Sequence, residues 1–244
     1  MFLLNIVDPV RIPSNLKINQ NAEYKRQENC MKEIQFSTTF PWHAGGMEPR
    51  LPSELNAPLG RFLVLLDKWN RTHALTALPP AARREELLQD AAILIPFLAP
   101  LPSGARVVDL GTGMGSPAVV LALARPDLEV IGVDASSKKL AFLKQVAMEL
   151  PVPNLKAVHG RLEDLASLQA DWGTAKALSS MDALLGWWAR HGRPGAPFFA
   201  LKGADWAGEP VPEGWTALPH PYALPTRGQR VVVELRGASS GDPR

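Results

Sequence analysis

The segment from Val107 to Val146, VVDLGTGMGSPAVVLALARPDLEVIGVDASSKKLAFLKQV, narrows the choice of fold more than any other part of the chain. Residues 106–111 read RVVDLG, by composition a buried strand of a parallel sheet. Glycines stand at alternate positions, Gly111, Gly113 and Gly115, and a helical stretch follows over Ser116–Arg125 with Pro117 tolerated in its first turn. The next strand, EVIGVD, ends on Asp134. Strand, glycine turn, helix and strand make a βαβ unit whose first turn brings bare backbone close to a nucleotide-like ligand. The acid at the end of its second strand is placed to accept ribose hydroxyls. Three alternating glycines cost backbone entropy that a plain strand–helix turn does not need to lose.

The alternation continues. Ser136–Leu150 reads as a helix with Leu140, Leu143, Ala147 and Leu150 inward and Lys138, Lys139 and Lys144 outward. LKAVHG is a third strand, AKALSS (Ala175–Ser180) a fourth, MDALLGWWARHG a helix and APFFALKG a fifth strand. The end, WTALPHPYALPTRGQRVVVELR, reads as two strands joined near Thr226–Gly228, the first proline-bearing and therefore suited to a sheet edge. Upstream, APLGRFLVLLDKWN places Leu59, Phe62, Leu63, Leu66 and Trp69 on one helical face. Ala81–Leu98 follows Pro79 and Pro80 as a second helix, with Glu85 and Glu86 near its positive end. The expected fold is α/β and Rossmann-like: a mostly parallel seven-stranded sheet with an antiparallel edge, preceded by N-terminal helices. The folded domain is expected over 51–240, with helices in 51–100 and the core in 105–236. Residues 1–50 lack sustained periodicity and read as a poorly ordered tail, with Met31 and Met47 as alternative starts.

Composition adds exclusions. A net charge of +2 neither demands nor forbids a nucleic-acid partner, because a local patch suffices. The single cysteine, Cys30, permits no internal disulfide and fits a reducing compartment. No apolar run approaches the roughly 20 residues that span a bilayer, and the first residues lack a basic segment and a long apolar core. A cytoplasmic protein with no membrane partner is expected. The five histidines are scattered without paired ligand spacing, so no metal is expected.

Two nucleotide cofactors compete for the glycine loop. The dinucleotide pattern needs a third glycine where this chain has Ser116. Asp109, two residues ahead of Gly111, would repel a pyrophosphate but favours a ligand carrying a sulfonium and an ammonium. The pattern Asp109-x-Gly111-x-Gly113-x-Gly115 therefore favours S-adenosylmethionine. Its adenine is expected past the third strand, where Leu162 can supply a backbone amide and Glu163 a side chain.

Methyl acceptors are narrowed by what the chain lacks. Methylation at carbon 5 of pyrimidines needs a cysteine nucleophile, and Cys30 lies in the tail. Adenine amino methylation often uses a polar-Pro-Pro-aromatic loop after the fourth strand, where this chain has SSMD. Metal-dependent oxygen methylation needs clustered acids, and none are visible by spacing. Guanine N7 fits, because its lone pair is already nucleophilic and alignment alone can be worth about 7–11 kcal/mol.

The sequence resembles the RsmG (GidB) family of small-subunit ribosomal RNA methyltransferases. The likeness runs from about Leu59 to Leu235 through LDKWNRTHALT, DLGTGMGSPAVVLALARPDLEV, SSKKLAFLKQVAMEL, GRLEDL, FALKG and RGQRVVVEL, in that order. It implies the class I S-adenosylmethionine-dependent fold and methylation of one guanine at N7 in 16S rRNA of the small ribosomal subunit, near the decoding site. It also implies cofactor contacts at Gly111, Ser116, Leu162, Glu163 and Ser180. The chain departs from the family pattern at four places. Ser116 replaces a bulky apolar residue, Leu87 a histidine, and Ala74 an asparagine. Ser179-Ser180-Met181 stands for a Ser-Arg-Ala piece.

The candidate cofactor residues are thus Asp109, Gly111, Gly113, Gly115, Ser116, Asp134, Leu162, Glu163 and Ser180. Lys202, Arg161 and Arg230 are candidates for contacting or positioning RNA. Arg71, Arg83, Arg84, Lys138, Lys139, Lys144, Arg190 and Arg193 are candidates for a phosphate-facing surface, and Trp187 or Trp188 for base stacking. A monomer is expected. A methyltransferase of the same fold acting on a small molecule or protein, or a catalytically weakened cofactor- or RNA-binding relative, remains an alternative reading.

Overall fold

The computed structural model describes residues 46–237. The readings of the tail ahead of Gly46, including Cys30 and a start at Met31, lie outside the described residues.

Helix α1 (Asn56–His73) buries Leu59, Phe62, Leu65 and Leu66, while Leu63 and Trp69 are only partly covered. The buried stripe is turned toward Leu65 relative to expectation because the helix packs on a neighbouring helix through aromatic rings. Phe62 and Trp69 lie 5.9 and 5.6 Å from Phe142. The helix ends at Ala74, a non-glycine residue with φ 47°. Asn70 then holds the departing chain, accepting the Thr76 N–H at 2.9 Å and donating to the Thr76 carbonyl at 3.1 Å.

The expected single helix over 81–98 is subdivided. It runs as α2 (Pro80–Arg83), a π-helical segment (Arg84–Gln89) and α3 (Asp90–Ala92), with a separate 3-10 turn at Ile95–Leu98. Outside donors explain the widening. Lys176 donates to the Glu86 carbonyl and Ser116 to the Leu87 carbonyl, and such insertions open the regular ladder. Pro96, which has no N–H, prevents the helix from resuming.

The core follows as β1 (Arg106–Leu110), α4 (Ala118–Ala124), β2 (Glu129–Asp134), α5 (Ser137–Glu149), β3 (Leu155–His159), β4 (Trp172–Lys176), α6 (Met181–His191), β5 (Phe198–Gly203), β6 (Trp215–Leu224) and β7 (Gly228–Gly237). The seven strands order β3-β2-β1-β4-β5-β7-β6. β1 to β5 pair in parallel, and β7 is antiparallel to both β5 and β6. This is the mostly parallel, Rossmann-like sheet with an antiparallel edge that the sequence leads one to expect, and β6, with Pro219 and Pro221, takes the edge. Met47 bridges to Tyr222, its N–H meeting the Pro221 carbonyl at 3.1 Å, so the chain engages the sheet ahead of residue 51.

β4 lies earlier than the expected Ala175–Ser180. Trp172 and Thr174 are buried on one face, while Gly173 on the other lies where a Cβ would come within 2.3 Å of the Trp188 ring. The helix thus seats its indole directly on the strand. Ala177, at φ 49°, ends the strand and frees Leu178–Ser180 for the loop. The sheet's two faces carry separate cores, one under α1 and the helices around α4 and α5, the other under α6.

Candidate functional site

At the C-terminal edge of the parallel strands lies a cavity of about 200 Å³, lined by Gly111, Val133, Asp134, Ala135, Gly160, Arg161, Leu162, Glu163, Leu178 and Trp187. Strand order puts it there. β1 is central with β2 on one side and β4 on the other, so the loops after β1, β2, β3 and β4 converge where parallel sheets bind ligands.

The glycine loop is shaped from both sides. Thr112 N–H donates to the Val133 carbonyl at 2.8 Å. Asp134 accepts the Gly113 N–H through Oδ2 at 2.9 Å and the Ser136 N–H through Oδ1 at 2.8 Å. One carboxylate therefore joins the loop after β1 to the start of α5 while facing the cavity. Gly111 and Gly113 both have left-handed φ, 68° and 58°. Their surroundings differ. A Cβ on Gly111 would come within 2.4 Å of Leu178, whereas beside Gly113 the nearest atom is the Gly111 carbonyl oxygen at 4.0 Å. The space beside Gly113 is what a ligand can use.

Of the sequence-derived candidates, Gly111, Asp134, Leu162, Glu163 and Arg161 line the cavity, and Gly113 is tied to it through Asp134. The others lie behind or beside it. Asp109 is fully buried beneath the loop, accepting the Ala118 N–H through Oδ2 at 3.1 Å, with Oδ1 unpartnered among the described residues. Burial pushes its carboxyl up to about 7, against the opposing pull of the nearby Thr112 hydroxyl, the Ala118 amide and the Lys176 charge. Asp109, which falls on the strand itself, holds the amide at the N-terminus of α4 and is not among the residues lining the cavity. Gly115 packs against Leu143 and Val119. Ser116 donates to the Leu87 carbonyl at 2.6 Å. Ser180 is the N-cap of α6, its hydroxyl accepting the Ala183 N–H, and Leu178 occupies the wall in its stead.

The basic candidates also divide. Arg161 is exposed at the cavity mouth. Lys202 is held inside the protein, bonding both Glu209 oxygens at 3.0 and 2.8 Å and the Ser179 carbonyl at 2.9 Å. Arg230 reaches Asp90 at 3.3 Å. Arg83, expected on a phosphate-facing surface, is buried against Asp67 and the Leu78 carbonyl. Arg193 pairs with Asp171, and Arg190 with the Leu165 carbonyl. Trp188 is buried and Trp187 half-buried, the two rings splitting between core and site.

A second polar cluster sits on the opposite face of the same sheet edge. Asp90, 1% exposed, accepts from Lys176 at 2.7 Å, the Tyr222 hydroxyl at 2.5 Å and Arg230 at 3.3 Å. Burial and the neighbouring Asp90 charge push the Tyr222 phenol well above its usual range, so it stays a donor. Two cations face the Asp90 carboxylate, and the Glu86 charge also acts on Arg230. β4 ends on Lys176, followed by Ala177, so a basic residue closes the strand three residues ahead of Ser179.

Leu178, Gly160, Val133 and Ala135 line the cavity without having been singled out, and Trp187, a candidate for base stacking, lines it as well. Leu178 was hidden by the misplaced strand.

Among the described residues no group of three or more His, Cys, Asp and Glu is placed to hold a metal ion, and no helix is long and apolar enough to cross a membrane.

Residues 55–212 match the family model GidB, described as rRNA small subunit methyltransferase G. Similar relatives carry the name ribosomal RNA small subunit methyltransferase G. The protein from Bordetella avium is 36% identical over 155 residues, covering 62% of this chain and 69% of that one. The Neisseria gonorrhoeae protein is 35% identical over 169 residues, covering 67% and 78%. The Xanthomonas axonopodis pv. citri protein is 36% identical over 192 residues, covering 76% and 89%.

Proposed function

The chain belongs to the GidB family of rRNA small subunit methyltransferases G, and on that premise we propose that it is a 16S rRNA methyltransferase that transfers a methyl group from S-adenosylmethionine to N7 of one guanine. The observation that carries this reading is the cavity at the C-terminal ends of β1, β2 and β3, lined by Gly111 and by Asp134 and Glu163, with Asp134 also holding the Gly113 N–H.

These residues fit an adenosyl donor. Asp134 offers carboxylate lone pairs to ribose hydroxyls at the end of β2. Glu163 and the backbone of Leu162 face the cavity past β3, where an adenine edge presents a donor and acceptors. S-adenosylmethionine, when bound, supplies an electrophilic methyl group.

The chemistry asks little else of the chain. Guanine N7 bears no proton and its lone pair lies in the ring plane, so no general base is required. The protein must hold the base in line and exclude water, and such positioning accounts for much of the attainable acceleration. Arg161, exposed at the mouth, is the first choice for meeting the RNA backbone. Lys202 and Arg230 reach the RNA only by exchanging Glu209 and Asp90 for phosphate.

The test is direct. Small ribosomal subunits lacking the modification are incubated with radiolabelled donor, and the label is mapped by borohydride and aniline cleavage, which reports 7-methylguanine. Label at one guanine of 16S rRNA is expected. Donor binding without transfer would favour a weakened relative, and label on metabolites or protein but not RNA would favour another acceptor. R161A is expected to lower RNA affinity and reduce the salt slope by about 1.

A further inference from the structure

Helix α6 sends three side chains to the loop after β3. Trp187 Nε1 donates to Glu163 Oε1 at 2.9 Å, and His191 Nε2 bonds the Leu162 carbonyl at 2.9 Å. Arg190 donates to the Leu165 carbonyl through Nε and Nη2 at 3.1 and 3.0 Å. Residues three and four apart share a helical face, so these donors form one row. The loop has little structure of its own. Within residues 161–165 the one backbone hydrogen bond among the described residues runs from Asp164 N–H to the Arg161 carbonyl, at 3.0 Å. Its conformation is therefore imposed from α6.

Two of these contacts bear on the cavity. His191 is fully buried, and since its partner is a carbonyl, its Nε2 carries the proton. Peptide planarity then sets the Glu163 N–H antiparallel to the Leu162 carbonyl that His191 holds. Trp187 fixes one Glu163 oxygen, while Oε2 has no partner among the described residues. Leu162, Glu163 and Trp187 all line the cavity. A carboxylate anchored by one oxygen and open at the other accepts an N–H donor and repels a carbonyl oxygen.

We propose that Trp187 and His191 are positioning residues that set base selectivity, holding Glu163 so that the site takes 6-amino purine nucleosides and rejects 6-oxo ones. This rests on the reading that the cavity holds an adenosyl donor.

The experiment uses the full chain and two probes, S-adenosylhomocysteine and its 6-oxo counterpart S-inosylhomocysteine, with affinities read by calorimetry. Wild type is expected to prefer the adenosyl compound by about 10- to 100-fold, the range for one charge-assisted hydrogen bond gained or lost. W187F keeps the ring and removes the N–H. It should shrink that preference to within about threefold and raise the donor KM. E163Q, at an exposed position where folding is not at issue, should lose the preference for the 6-amino probe or invert it, because the Trp187 N–H takes the amide oxygen and leaves the NH2 facing the ligand. A W187F protein with the wild-type preference overturns the proposal, as does a wild type that binds both probes equally. A wild type that binds neither defeats the reading of the cavity itself, an outcome distinct from tight binding without discrimination.

Discussion

The Ser116 hydroxyl donates to the Leu87 carbonyl at 2.6 Å in the protein interior. The two positions are therefore neighbours in space, although separated by 29 residues in sequence. The hydroxyl satisfies a carbonyl of the π-helical segment, one of the groups that a regular helix would pair internally. S116A should cost about 1–2 kcal/mol, the range for a buried acceptor left unpaired, measured as a shift in urea midpoint at constant slope. An unchanged midpoint would show that water or the helix takes the proton donor's place.

Ala74 closes α1 in the left-handed region, at φ 47°, where asparagine is tolerated better than alanine. A74N should stabilise the protein by about 0.5–1 kcal/mol, visible as a raised Tm, with methyl transfer unchanged.

Asp109 carries a pH dependence. Its carboxyl is pushed up to about 7 from an ordinary 3.8, so the unfolded chain loses this proton at lower pH than the folded one. Folding is penalised progressively as pH rises from about 4, and the penalty is complete above 7, with an upper bound on the order of 4 kcal/mol. D109N removes the ionisation and keeps an acceptor for the Ala118 N–H. Measured by urea unfolding, the variant should gain on wild type between pH 4.5 and pH 8. A difference that does not vary with pH would mean that Asp109 is already ionised in the fold.

The Asp90 cluster should behave as one unit. D90A leaves Lys176 and Arg230 facing each other in a largely dry space and should cost about 3–5 kcal/mol. Y222F removes one donor and should cost about 1–2 kcal/mol. Because Asp90 and Tyr222 are in contact at 2.5 Å, the double variant should lose clearly less than the two single losses combined, and additive losses would deny the coupling.

Gly111 and Gly113 should separate folding from binding. G111A drives a methyl toward Leu178 at a left-handed φ and should cost about 1–2 kcal/mol for the backbone conformation alone. G113V meets a larger backbone cost, because a branched side chain is disfavoured at φ 58°, but its Cβ meets no atom nearer than 4.0 Å, so a folded, less stable protein that no longer binds S-adenosylhomocysteine is expected. Near-wild-type affinity in G113V would place the ligand elsewhere.

What the sequence determined on its own is what short-range chemistry encodes. Apolar periodicity marks β1, β2 and the terminal strand pair, and the proline-bearing β6 falls at the edge because proline lacks a donor for a second partner. The glycine loop and Asp134 are legible because their spacing along the chain is their function. Where the local pattern is weak, as in Trp-Gly-Thr-Ala-Lys, the strand lies three residues ahead of the sequence expectation, and its glycine is the seat of the Trp188 ring. Only the tertiary structure decided which polar groups meet. Asp90, Lys176, Tyr222 and Arg230 come together through strand order and the antiparallel register of β5, β6 and β7, and no spacing in the chain announces them. The same holds for Trp187 with Glu163 and for Asp109 with the Ala118 amide. Side-chain periodicity is a property of neighbours in sequence. Burial and partnership of charges depend on neighbours in space, and those exist only once the sheet has assembled.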